Sequence, residues 1–279
     1  MIFLRNIFAL LFIAAFTFQG LQSQDTLQQQ DDVKLNKAYI KSYFTDSWEI
    51  LKSPVRWRGK QWGTFAAVAG VTVLAYTQDD VIRDAFQRNR TDARDNASKY
   101  FFEPLGSGII TIPLSVGFWA VGELSDNQRA ARVGLTSIKA MAITAVFTYA
   151  IKYATQRHRP HDNDPPDPGI WEGPFGSYSS TSFPSGHSSM VFAVAAVFAS
   201  EYRDKLWVPI ISYTLASFAA VSRVYDDKHW ASDVIFGSAL GFFIGKFVYK
   251  STVKNPDLII IPGVSASGHP GFTMIYQLR

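Results

Sequence analysis

Residues 234–249 read VIFGSALGFFIGKFVY. Gly237, Gly241 and Gly245 recur every fourth position, which places them on one face of a helix. A glycine inside a helix costs about 1 kcal/mol relative to alanine. Three in register therefore imply a neighbouring backbone close enough to need them, the small-xxx-small pattern of packed membrane helices. Phe236, Phe242, Phe243, Phe247 and Tyr249 surround that face with bulk. The stretch predicts a helix held tightly inside a membrane-embedded bundle.

Five further apolar stretches precede it, at Trp62–Thr77, Leu105–Val121, Val133–Tyr153, Ser188–Ser200 and Leu206–Val221. No two-residue alternation appears before the C-terminal tail, so the body reads as all-α. A bilayer crossing takes about 20 apolar residues. Only the second and third stretches approach that length, which leaves a soluble helical bundle open as the alternative. In the tail, Leu258–Pro262 and Phe272–Leu278 are β-prone and separated by glycine and serine, a hairpin pattern. The expected architecture is an all-α, membrane-associated bundle of about six core helices with a short C-terminal β-hairpin-like tail. Its organisation is an export signal over 1–23, a polar segment over 24–60, a helical domain over 61–250 and a tail over 251–279.

Composition narrows the function classes. Hydrophobic residues make up 47%, aromatics 15% and charged residues 18%, too apolar for disorder and too poor in charge for an ordinary soluble surface. The net charge of +4 carries no dense basic block, so nucleic acid is not an expected partner and a membrane is. The absence of cysteine excludes disulfide scaffolds, thiolate nucleophiles and cysteine-ligated zinc. At the start, Arg5 and the apolar run Ile7–Phe18 form an export signal, followed by Gln22-Ser23-Gln24-Asp25. Cutting after Ser23 leaves Leu21 three positions back, so an uncleaved anchor helix stands as the alternative.

Charge also bears on orientation. Arg129, Arg132, Arg203, Lys205, Lys246, Lys250 and Lys254 fall at helix ends on one side of the alternation. The positive-inside tendency then faces the other side away from the cytoplasm. A cleaved signal followed by three full spans would do the reverse, and the simplest repair is that Trp62–Thr77 does not cross. Residues 79–103 are dense in both signs of charge and read as a solvated surface segment without function.

Three clusters at helix ends carry the chemistry. The first is Lys152, six residues, then Arg159-Pro160; the second is Pro184-Ser185-Gly186-His187; the third is Ser222-Arg223, five residues, His229, three residues, Asp233. Each alone is ordinary: a snorkelling lysine, a helix-start turn, a surface histidine. In this order and spacing they resemble the signature of the type-2 phosphatidic acid phosphatase (PAP2) superfamily, which also takes in class A acid phosphatases, glucose-6-phosphatases and vanadium haloperoxidases. The resemblance runs from Lys152 to Asp233 without a departure from the pattern.

What it implies agrees with the chemistry of the residues. A phosphoryl group in transfer carries charge on its equatorial oxygens, so catalysis is mostly positioning and electrostatics. Lys152, Arg159 and Arg223 supply three cations, and no carboxylate cage for a metal is evident. Ser185 and Gly186 open a helix whose amides and dipole suit an anion. His229 and Asp233, four apart, share a helix face, so that the carboxylate takes one ring nitrogen and the other attacks phosphorus. His187 is left to protonate the departing oxygen and then to activate water. Ser222 is either a phosphate contact or a helix-end residue. His158, His161 and His269, and the acidic loop of Asp162, Asp164, Asp167 and Glu172, read as solvated, while Trp171, Phe175 and Tyr178 either meet a lipid chain or pack the loop.

The resemblance therefore implies a metal-independent, cofactor-free phosphatase acting on a lipid phosphate through a phosphohistidine, in the inner membrane of a bacterial envelope with its site facing the periplasm. Its candidate substrates are phosphatidate, phosphatidylglycerol phosphate, isoprenyl diphosphate and lipid A phosphate. A soluble periplasmic acid phosphatase and, further off, a vanadium haloperoxidase are the alternatives.

Overall fold

The computed structural model describes residues 33–177, 181–253, 258–264 and 270–276. The expected export signal, Tyr178 and His269 lie outside them. Ten helices are described: α1 (Lys37–Lys52), α2 (Gly59–Tyr76), α3 (Asp79–Arg88), α4 (Asp92–Ala97), α5 (Glu103–Gly106), α6 (Thr111–Leu124), α7 (Gln128–Thr155), α8 (Gly186–Glu201), α9 (Trp207–Tyr225) and α10 (Ala231–Thr252). A 3-10 turn over Ser53–Arg56 follows α1, and a π turn over Ser98–Phe102 leads into α5. Two strands, β1 (Leu258–Val264) and β2 (Pro270–Tyr276), pair antiparallel, so the hairpin is present with a longer first strand and an earlier-ending second one.

The core lies between α7, α8 and α10, where Val133, Ala140, Ile143, Ala193, Val197, Ile244 and Val248 are buried together. The glycine register does what its spacing implies. A β-carbon at Gly237 would stand 2.6 Å from the Ser185 carbonyl oxygen, one at Gly241 1.9 Å from that of Ser189, and one at Gly245 2.4 Å from that of Ala193. Two four-residue rows thus meet backbone to backbone, and any side chain at Gly241 would force α8 and α10 apart. On its other side α8 packs against α9 through Val191, Ala195, Ala216 and Ala219. The mostly small side chains of α8 let three helices enclose it.

Among the described residues, three helices are long and apolar enough to cross a membrane: Gln128–Thr155, Trp207–Tyr225 and Ala231–Thr252. Ile210, Ile211, Phe218 and Val221 lie exposed along α9, as a lipid-facing side requires. These lengths support the membrane bundle over the soluble one. They also correct the sequence reading, since Leu206–Val221 belongs to a 19-residue helix whose polar last turn an apolar count leaves out. Leu105–Val121 is not one straight span either. It breaks between α5 and α6, at a 51° bend where Gly108 adopts φ +90°. The Trp62–Thr77 stretch forms α2, which is not among the long apolar helices.

The polar segment before it is more than a tether. Helix α1 is capped by Asn36, whose side chain accepts from the Tyr39 amide, and it docks on the bundle. The Tyr39 hydroxyl donates to the Leu135 carbonyl, and Asp46 pairs with the buried Lys139 at 2.9 Å.

Candidate active site

Antiparallel packing brings four helix ends together. α7 and α9 end there with Lys152 and Arg223 in their last turns, while α8 and α10 begin there. Cations complement the C-terminal ends of the first pair, and the N-terminal ends of the second pair attract anions.

Ser185 caps α8. Its hydroxyl accepts from the Ser188 amide, and its own amide donates to the Asp233 carbonyl at 3.0 Å, which ties α8 to α10. The cap takes up the third amide, leaving those of Gly186 and His187 as the natural donors to an anion. Gly186 faces Lys152, whose side-chain Cε would lie 4.0 Å from a β-carbon added at that glycine. Lys152 is held by the carbonyls of Thr181 (2.7 Å) and Ser182 (3.0 Å). Arg223 is braced by Ser222 Oγ at 3.1 and 3.0 Å and by Asp226 at 2.5 Å. Ser222 is accordingly a clip on the arginine, and it donates its own proton to the Ala219 carbonyl. Arg159 Nε and His187 Nε2 are buried and have no hydrogen-bond partner among the described residues. Glu103 lies 3.6 Å from His187 Nε2, beyond hydrogen-bond reach. These two unpartnered buried nitrogens, beside a lysine and a second arginine, make a cationic cradle whose hydrogen bonds an oxyanion can satisfy.

Electrostatics tie these groups into one site. His187 is pushed down to about 4, first by burial and then by the charges of Arg223, Arg159 and Lys152. His229 is pushed down to about 3, chiefly by burial, with Lys152 and Arg159 adding to the fall and Asp233 opposing it. Both imidazoles are therefore held neutral at pH 7.

The contact between His229 and Asp233 differs from the sequence reading. His229 Nδ1 is 3.8 Å from Asp233 Oδ2, too long for a hydrogen bond. Ser182 stands between them: its hydroxyl donates to Asp233 Oδ2 at 2.5 Å and lies 3.3 Å from His229 Nδ1. Because the serine proton goes to the carboxylate, Ser182 Oγ can only accept from the ring. Nδ1 then carries the imidazole proton and Nε2 keeps the lone pair. Asp233 also accepts from the Trp230 amide at 2.9 Å, so the residue that orients the imidazole also caps α10.

A second difference is larger. The charge-rich stretch starting at Asp79, expected to be solvated, sends its first carboxylate into the protein. Asp79, Arg157 and Asp233 all have fully buried side chains, and Arg157 bridges the two carboxylates at 2.8 and 2.5 Å. Asp79 also accepts from the Ser232 amide at 2.9 Å and from the Ser232 hydroxyl. Burial raises its pKa, and the three donors oppose that rise. Ser182, Arg157 and Asp79 were not singled out from sequence; the only hint was a second arginine two positions before Arg159. His158, read as solvated, is part-buried: its carbonyl accepts from Trp230 Nε1 at 2.9 Å and its ring contacts Glu172 at 2.8 Å. Trp171 packs on Tyr76 and Phe183, whereas Phe175 is 98% exposed.

Comparisons with known proteins bear on the same residues. Residues 134–257, which contain every residue singled out in the three sequence clusters, match the family model of the PAP2 superfamily. The lipid A 1-phosphatase of Porphyromonas gingivalis is 42% identical over 72 residues, 25% of this chain and 16% of that protein. A PA-phosphatase related-family protein of Dictyostelium discoideum is 32% identical over 152 residues, 48% of this chain and 53% of that protein. The chain thus spans about half the length, or less, of these curated relatives. Among solved structures, the transmembrane PAP2-type phosphatidylglycerolphosphate phosphatase from Bacillus subtilis superposes with a TM-score of 0.51 at 20% identity, covering 78% of this chain and 97% of that one. That likeness is one of fold.

Proposed function

We propose, from the match of residues 134–257 to the PAP2 superfamily model, that the chain is a membrane phosphatase that releases phosphate from a lipid phosphate through a phosphohistidine on His229. The observation that carries this reading is the pairing of a cationic cradle with an imidazole whose Nδ1 is engaged by Ser182, itself anchored on Asp233.

Lys152, Arg159, Arg223 and the first amides of α8 would hold the non-bridging oxygens. His229 Nε2 attacks phosphorus, the bond from phosphorus to the lipid oxygen breaks, and the departing oxygen takes a proton from His187. A water then gives its proton to His187 and attacks the phosphohistidine, freeing inorganic phosphate and restoring neutral His229. His187 must be protonated for the first step, although burial and the neighbouring cations hold its pKa at about 4. A bound phosphate dianion offsets the three cations that help to depress it and so raises it. Those cations also perform the charge neutralisation that magnesium provides in other phosphoryl-transfer enzymes.

The spans and the place of the site at one end of the bundle support a lipid substrate, and phosphatidate, phosphatidylglycerol phosphate, isoprenyl diphosphate and lipid A phosphate remain the candidates. Arg129 and Arg132 open α7 and Lys246 and Lys250 lie near the end of α10, at the end opposite the site. This arrangement supports a site facing outward across the inner membrane. The test is phosphate release by the detergent-solubilised full chain from mixed micelles of those lipids and from soluble phosphate esters. Turnover of at least one lipid, unchanged by EDTA and blocked by vanadate, is expected. Activity confined to soluble esters, or lost in EDTA and restored by magnesium, would contradict the reading.

A further inference from the structure

We propose that Asp79 and Arg157 are positioning residues for this reaction: a buried clamp, contributed partly from outside the family-matched segment, that fixes Asp233 and through it aims His229. The inference rests on the phosphatase reading above. Arg157 Nη1 donates to Asp233 Oδ1 at 2.5 Å and to Ser232 Oγ at 2.8 Å, Nη2 donates to Asp79 at 2.8 Å, and Nε donates to the Pro168 carbonyl at 3.1 Å. The guanidinium is boxed by the rings of Trp171, Tyr76 and Trp230, at 4.7, 5.0 and 5.5 Å. With both faces and its edge engaged, it has no alternative position. Asp233 is thereby denied rotation about its own carboxylate axis, and its Oδ2 is directed at Ser182 and the His229 side.

The placement of the clamp makes it more than a staple. One guanidinium lies between two carboxylates whose side chains are fully buried, one on α3 and one on α10. The Asp233 carboxylate that it fixes lies behind an imidazole that becomes cationic as Nε2 bonds to phosphorus, and it favours that state over the neutral ring. Asp79 stands at the first position of α3, far upstream of residues 134–257, so the arm formed by α2 and α3 completes the site.

The test uses the full chain in detergent with its best lipid substrate. Active sites are counted from the burst of acid-labile phosphoenzyme, and anion affinity is read from vanadate inhibition. Asp79→Asn keeps the shape and removes the charge. It is expected to lower kcat per counted site by about 10- to 100-fold, the range typical of supporting residues behind a reactive group. KM and vanadate inhibition should stay within about twofold, because the cradle is untouched. Arg157→Lys should fall similarly, since a point charge cannot fork to four acceptors. Ser232→Ala, which removes only the hydroxyl bridge, should lose about three- to tenfold, and it decides the matter if Asp79→Asn does not fold. Variants whose kcat per site stays within about twofold of wild type, with only a lower melting temperature or fewer sites, would overturn the proposal and leave a structural staple. A wild type that hydrolyses lipid phosphate without any phosphoenzyme would instead show that the nucleophile reading has failed, and the clamp with it.

Discussion

The two ends of helix α7 treat charge in opposite ways. Toward its start, Arg132 pairs with Glu201 at 2.5 Å and Lys139 pairs with Asp46 at 2.9 Å, each cation matched to a carboxylate and buried with it. At its end, Lys152 is held only by carbonyls, and Arg159 just beyond has a buried Nε without an acceptor. Burying an uncompensated cation is expensive, and on the proposed reading these two are retained for a ligand that brings the missing negative charge. Matched charges at one end build the architecture; the two unmatched ones at the other are, on that reading, part of a binding site.

Mutations at the two ends should therefore separate function from stability. The largest effect is expected from His229→Ala, which should lower phosphate release by about four orders of magnitude or more with little change in melting temperature. Retained turnover would show that the nucleophile lies elsewhere. At the opposite end, Arg132→Ala leaves the buried Glu201 carboxylate with only the longer contact to Arg129 at 3.4 Å and should destabilise the protein by up to about 3–5 kcal/mol, read from thermal melting in detergent. Its kcat per active site should stay at the wild-type value, and a specific catalytic defect would break the comparison. Arg159→Ala should reverse that pattern: kcat/KM falls by about 10²- to 10³-fold, while stability holds or rises as like charges are relieved.

The smallest effect is a proton. Phosphate binding at pH 6 should draw a fraction of a proton onto His187, whose pKa of about 4 rises when the anion offsets Arg223, Arg159 and Lys152. Calorimetry in two buffers of different ionisation enthalpy measures that uptake once the phosphate's own ionisation is subtracted, and the His187 contribution should vanish in His187→Gln. The same depression sets a sign for stability. His187 and His229 have folded pKa values of about 4 and about 3, below the unfolded value near 6.5. The neutral rings therefore favour the folded state above pH 6.5, and this contribution fades as the pH falls toward those values. Melting temperatures should drop on acidification through that window, less so in the double variant lacking both imidazoles.

The same contrast explains what could be read from the sequence. The cradle was legible because oxyanion chemistry restricts residue type: Lys152, Arg159, Arg223 and the histidines sit at fixed spacings next to helix ends. Gly237, Gly241 and Gly245 were legible because only a close backbone justifies them, and α8 supplies it. The Asp79–Arg157 pair was hidden. Among Asp80, Arg83 and Asp84 its carboxylate looked like one more solvated charge, and its partner lies 78 residues away. Ser182 was hidden for a similar reason, as its hydroxyl meets His229 only once the loop folds over α10. Helix ends failed at polar caps and at the Gly108 break, where backbone geometry rather than hydrophobicity decides.

The central claim is that the unmatched cations present phosphorus to His229 Nε2. It is tested most directly by mixing the enzyme with a lipid phosphate carrying ³²P in the reactive group, quenching within one turnover and mapping the label. The account expects an acid-labile, base-stable adduct on the peptide containing His229, present in wild type and absent in His229→Ala. Rapid phosphate release with no covalent label, or a label on any other side chain, would contradict it.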